Sequence, residues 1–219
     1  VVSPISAAGI CCPEARSRLH ARFKRNPSTP IVLVASGPSL CREDIELCVE
    51  EGVSLAVVND CYRLAPWADL LYACDKKWWD YHKPKFSGEK WTQSREAANA
   101  YGLHHISGTD SPGLSLMPGL IYFGGSCVGG NSGFQLLNLI VLMGARNIVL
   151  LGYDMQTDGQ DHWFGRHPDK LFSPPNFRNW IGMFEMAARQ LKEIGVSVTN
   201  CTRSTALDCF PCAHLKNVI

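Results

Sequence analysis

The sequence has no excess of charge of either sign, no long apolar run and no standard phosphate loop, and each absence removes a class of function. The formal net charge is +1, from 21 Lys and Arg against 20 Asp and Glu, so no nucleic-acid surface is expected. The longest largely apolar run, residues 136–143, is far short of the roughly 20 residues that span a bilayer. No charged segment precedes a secretory core either, so no membrane partner is expected. G-x-G-x-x-G is missing after the first apolar run, which speaks against a dinucleotide site, and there is no G-K-[ST] loop. The absence of G-x-S-x-G leaves a hydrolase triad without a marked nucleophile. Cysteine is plentiful, at ten residues, but only Cys209 and Cys212 form a C-x-x-C, while Cys11 and Cys12 are adjacent. A structural zinc site needs four ligands, so the expectation is no metal and reduced cysteines acting as small hydrophobes. That usage fits a cytoplasmic compartment. The chain opens on Val1 and not on Met, which leaves its true N-terminus open.

What is present is the pattern of an α/β protein. A chain of 219 residues with 46% hydrophobic residues is long enough for one such domain and short for two. Residues 1–30 read as an N-terminal appendage with a short basic helix, ended by Asn26-Pro27. Residues 31–219 read as a single Rossmann-like domain. Apolar β-branched runs at 31–35, 54–58, 69–73, 148–151 and 196–199 have the composition of strands covered on both faces. Helices are expected at 42–51, 76–81, 132–143 and 176–194, with the tail to Ile219 on a sheet edge. Segment 86–124 loses periodicity apart from a short helix at 94–101 and a strand at 103–107. Together with 157–175 it reads as a loop or lid over the site. Five or six strands alternating with helices predict an open, mostly parallel, three-layer sheet.

Ligands of such sheets bind beyond the carboxyl ends of the strands, where strand order reverses. The residues expected there are Ser36, Gly37, Pro38 and Ser39, then Asn59, Asp75 and Asp154. The glycine-rich turn 129–133, with Asn131, Ser132 and Gly133, opens a buried helix whose start offers N–H groups to an anion. Strand ends become polar wherever they meet water, but that explains less well why three such turns recur in one unit. Asp161-His162-Trp163-Phe164-Gly165-Arg166-His167 follows the Asp154 strand end. Either His162 or His167 can act as a general base, and Arg166 can hold a phosphate. A solvated loop and a metal site are the competing readings of that stretch.

These residues resemble a known superfamily. Ser36-Gly37-Pro38-Ser39-Leu40, Val58-Asn59, Asn131-Ser132-Gly133 and Gly152-Tyr153-Asp154, in this order, look like the domain of unknown function 115 group. That group includes 6-hydroxymethylpterin pyrophosphokinase-like proteins. The same order is similar to glycosyltransferase family 42 sialyltransferases and to small phage-encoded proteins, which the 200–211 stretch also resembles. The resemblance spans about residues 31–212. The sialyltransferase pattern implies a CMP-sugar donor held by Ser36, Gly37, Pro38, Ser39, Asn59, Ser132, Gly133 and Asp154, with His167 or His162 deprotonating the acceptor. Ser36 stands where that family has Asn, and the acceptor-side extension is missing. The pyrophosphokinase pattern fits less well, since residues 72–76 keep one acidic position.

The expectation is a nucleotide-dependent transferase, a metal-independent glycosyltransferase with a CMP- or UDP-linked donor and an unknown acceptor. One alternative is an ATP diphosphotransferase with Asp60, Asp75 or Asp154 on Mg²⁺. Another is a non-catalytic nucleotide-binding phage accessory protein in the host cytoplasm. A homo-oligomer is compatible with each.

Overall fold

The computed structural model describes residues 13–110, 113–122, 130–157 and 159–219. Cys11, Cys12 and Gly129 lie outside them. The run Ile31-Val32-Leu33-Val34 forms β1 (Ile31–Val34), buried throughout. Its side chains alternate between two cores, as a strand's period of two requires. Ile31 and Leu33 face a core shared with α1 (Arg18–Arg25), α5 (Ser132–Leu142) and α6 (Phe177–Glu193). Val32 and Val34 face a second core with α2 (Arg42–Glu50), α3 (Lys76–His82) and α4 (Arg95–Tyr101). The result is the expected three-layer α/β architecture.

The main sheet has seven strands. Besides β1 they are β2 (Ser54–Val58), β3 (Leu70–Tyr72), β4 (Glu89–Thr92), β5 (His104–His105), β8 (Asn147–Leu151) and β9 (Ser197–Asn200). Their order is β5-β4-β3-β2-β1-β8-β9, and every pairing is parallel. A second sheet pairs β6 (Ser107–Thr109) with β7 (Leu120–Tyr122). Successive strands run outward from β1 to β5, then the chain returns to β1's other side with β8. Strand order therefore reverses between β1 and β8.

Two stretches differ from the sequence reading. Segment 86–124 carries β4, α4, β5, β6 and β7 where one helix and one strand were expected. Its strands are short, and β4 bears charge: buried Glu89 accepts the Arg18 backbone N–H at 2.6 Å and the Trp91 indole at 3.0 Å. Residues 13–30 are stitched to the domain. Leu19 and Phe23 of α1 are buried in the same core as β1 and α5, each worth roughly 2 kcal/mol, and the Arg146 N–H donates to Pro27 O at 2.8 Å. The C-terminal tail follows expectation. It adds a parallel bridge from Cys212 to Asn200 on the β9 edge, and Leu215 is buried.

Among the described residues no helix is long and apolar enough to cross a membrane. The described cysteines that the structure assigns, Cys41, Cys48, Cys61, Cys74, Cys201, Cys209 and Cys212, are free thiols.

Candidate functional site

At the β1/β8 reversal the two strand ends are locked together. The Ala35 N–H donates to Leu151 O at 2.8 Å and the Gly37 N–H to Gly152 O at 2.9 Å. Gly37 is required there, because a Cβ would lie 2.0 Å from Asp154 Oδ1 and 2.6 Å from Gly152 O. Gly152, at φ +69°, lies so close to Ala35 O that a Cβ would sit 2.2 Å away. Asp154 is buried, and its Oδ2 accepts the Ser39 N–H at 2.9 Å. The Ser39 hydroxyl accepts the Ser204 N–H at 3.3 Å. The amides of Gly37 and Ser39 are thus used inside the protein, and Pro38 has none. The 36–39 turn forms the floor of the crevice and offers these amides to no ligand.

Open donors lie opposite, at the start of α5. Asn131 is its N-cap, and its Oδ1 accepts the Phe134 N–H at 2.9 Å. The Gln135 N–H reaches Asn131 O at 3.0 Å. Of the four donors a helix start leaves without intrahelical partners, the Ser132 and Gly133 amides have no partner among the described residues, and both residues line the cavity. Buried Tyr153 holds this terminus against β8, its hydroxyl donating to Gly133 O at 3.1 Å. Gly133 allows the approach, since a Cβ would meet the Tyr153 ring at 2.9 Å.

Between floor and helix lies a cavity of about 200 Å³. Ser36, Gly37, Pro38, Asn59, Asp75, Asn131, Ser132, Gly133, Asp154, His162 and His167 all line it, so sequence candidates separated by more than a hundred residues converge. Asn59, at φ +45°, turns the chain sharply after β2; asparagine tolerates that left-handed conformation better than most residues. Asp75 is exposed at the N-cap position of α3, and its side chain makes no capping hydrogen bond.

Two candidates fall outside the lining. Ser39 is committed to Asp154 and Ser204. Arg166 is exposed, with its guanidinium 4.3 Å from the centre of the Phe172 ring. Phe172 does line the cavity, as do Trp78, Phe177 and Trp180, an aromatic wall that was not singled out in the sequence. Lys77, also passed over, is the one Lys or Arg among the described lining residues.

The histidines sit on the segment after β8. His162 Nδ1 lies 3.2 Å from Ser36 Oγ, and the Trp163 N–H donates to Ser36 O at 3.2 Å. The His162 and His167 rings meet edge to face, with centroids 4.7 Å apart. Burial, opposed by nearby carboxylates, depresses both imidazoles below their ordinary value. Both are therefore neutral and able to accept a proton near neutrality. Burial likewise pushes the lining thiol of Cys74 up to about 12, so it is no thiolate nucleophile.

A larger recess of about 590 Å³ lies beside β9. Its strongest polar feature, the Arg203 guanidinium 2.9 Å from buried Asp44, is an ion pair satisfied within the protein. Among the described residues no group of three or more His, Cys, Asp and Glu side chains is arranged to hold a metal ion.

Fold and cavity together define an open parallel α/β domain with a cavity of about 200 Å³ at its strand-order reversal. No protein-family model, curated protein or solved structure matches the chain.

Proposed function

We propose that the chain is a nucleotide-dependent transferase that moves a sugar from a CMP- or UDP-linked donor to an acceptor hydroxyl, with a histidine as general base. The observation that carries this reading is the convergence of the α5 start and the two neutral histidines on one cavity. The Ser132 and Gly133 amides face a donor phosphate and stabilise charge as it leaves. Trp78, Phe172 and Trp180 give the base and ribose an apolar wall. His167 or His162 takes the acceptor proton. The order of motifs resembling family 42 sialyltransferases supports the same assignment, and with it a nucleotide site.

One observation favours a second reading. Asp75 and Asp161 line the cavity against a single lysine, an acidic balance that a divalent cation on a triphosphate would offset. An ATP diphosphotransferase uses such a cation, with Asp75 the acidic side chain best exposed to hold it.

A thermal-shift screen with CMP, UDP and ATP, each with and without Mg²⁺, separates the two, because a ligand that binds only the native state raises Tm. The transferase reading expects CMP or UDP to raise Tm without Mg²⁺. A shift confined to ATP with Mg²⁺ transfers the assignment to the second reading. No shift with any nucleotide, for a chain that melts cooperatively, contradicts both.

A further inference from the structure

Asp60 follows Asn59 in the turn after β2, and its side chain is only 3% exposed. Its Oδ2 accepts the Trp78 indole N–H at 3.0 Å. The same oxygen lies 3.5 Å from His82 Nε2 and 3.8 Å from His167 Nδ1. Both of these nitrogens are buried and, among the described residues, have no hydrogen-bond partner. Arg63 approaches the other oxygen at 3.7 Å and lies over the rings of Trp163 and Phe164. A carboxylate buried this far is costly unless charge or hydrogen bonds meet it, and one indole does not complete its shell. Two imidazole nitrogens from different elements converge on what is left.

We propose that Asp60 is a positioning residue: it holds His167 with Nδ1 inward, so that Nε2 serves the cavity, and its charge steadies the imidazolium once His167 has taken a proton. This rests on the transferase reading. In that reaction the acceptor O–H gives its proton to His167 Nε2 while the acceptor oxygen bonds to the anomeric carbon. The carbon–oxygen bond to the nucleotide phosphate breaks, and its electron pair leaves with the phosphate. The 3.8 Å contact is longer than a hydrogen bond, and contacts of this kind tighten in the reacting complex. Around His167 the charged and titrating groups are Asp60 and Arg63 from the turn after β2, His82 from α3, and Asp161 and His162 from its own segment. His82 shares the oxygen, so its protonation competes with that of His167.

The test is ¹⁵N-histidine NMR of the full chain across about pH 5 to 8, in wild type, Asp60→Asn and His82→Gln, beside CMP or UDP release from a nucleotide-sugar. In wild type His167 should carry its neutral-state proton on Nδ1. Asp60→Asn should lower the His167 midpoint by about one pH unit and move the acidic limb of the turnover profile the same way. It should also cut kcat at least about tenfold while KM changes little. A folded Asp60→Asn chain with the wild-type midpoint and tautomer overturns the proposal. If that variant does not fold, His82→Gln decides: a raised His167 midpoint supports the shared oxygen, and an unchanged one overturns it. A midpoint that responds to Asp60→Asn while His167→Ala leaves turnover intact overturns the catalytic role and keeps only the ion pair, so the two failures are distinguishable.

Discussion

The floor of the cavity and its histidine-bearing wall are built in different ways. On the floor, 36–39 and 152–155 are tied by backbone hydrogen bonds, by a buried aspartate and by two glycines whose added Cβ atoms would collide with the opposite strand. On the wall, residues 159–175 are half-buried or exposed. Side-chain contacts hold much of it: His162 to Ser36, His167 towards Asp60, Arg166 on Phe172. A floor tied in this way fixes one side of the cavity, while a wall held by side chains has more room to adjust. Loops carried on a fixed scaffold are where binding chemistry tends to gather.

Substitutions can break this comparison, beginning with the largest effect. Gly37→Ala should destabilise by about 3 kcal/mol, because the new methyl overlaps Asp154 and neither strand end can retreat. Gly165→Ala on the wall should cost less, about 1–2 kcal/mol for its positive φ, since nothing lies within 4 Å of the added carbon. Urea unfolding of both variants measures the difference, and equal costs would mean that floor and wall are equally constrained. Asn131→Ala should lose about 1 kcal/mol with the N-cap and weaken nucleotide binding at the same time, read from denaturation and from titration calorimetry.

Acidity addresses the wall. His82, His162 and His167 are depressed by burial below 6.5, so unfolded imidazoles take protons that the folded ones refuse. Their contribution to stability is present above about pH 6.5 and is lost as pH falls through the depressed values. Unfolding free energy should therefore drop between about pH 7 and pH 5, and the drop should shrink in His162→Gln and His167→Gln. The smallest effect belongs to Ser36→Ala, about 0.5 kcal/mol for a half-buried contact, with a displaced His162 titration as its clearer signature.

Much of the floor was legible in the chain, and less of the wall. Strands β1, β2 and β8 are continuous apolar runs covered on both faces, so composition alone marks them and their polar ends. β4 was not legible. Glu89-Lys90-Trp91-Thr92 has no apolar run, and Glu89 is tolerated inside only because the Arg18 N–H and the Trp91 indole meet it. The turn residues were found, but the destination of their amides was not, because Asp154 reaches Ser39 across 115 positions. Arg166 was read by its chemistry, while its exposed position over Phe172 is decided by packing. The Asp60 centre was the least legible, since Trp78, His82 and His167 come to it from two other segments and share no spacing rule. Its one signal was the polar pair Asn59-Asp60 directly after a buried strand.

The most direct test of the account is the position at which a nucleotide perturbs the backbone. With CMP added to ¹⁵N-labelled chain, the amides of Ser132 and Gly133 should show the largest chemical-shift changes. Those of Gly37 and Ser39, held by Gly152 and Asp154, should shift less. Saturable shifts centred on the β9 recess around Arg203, with Ser132 and Gly133 unmoved, would contradict it.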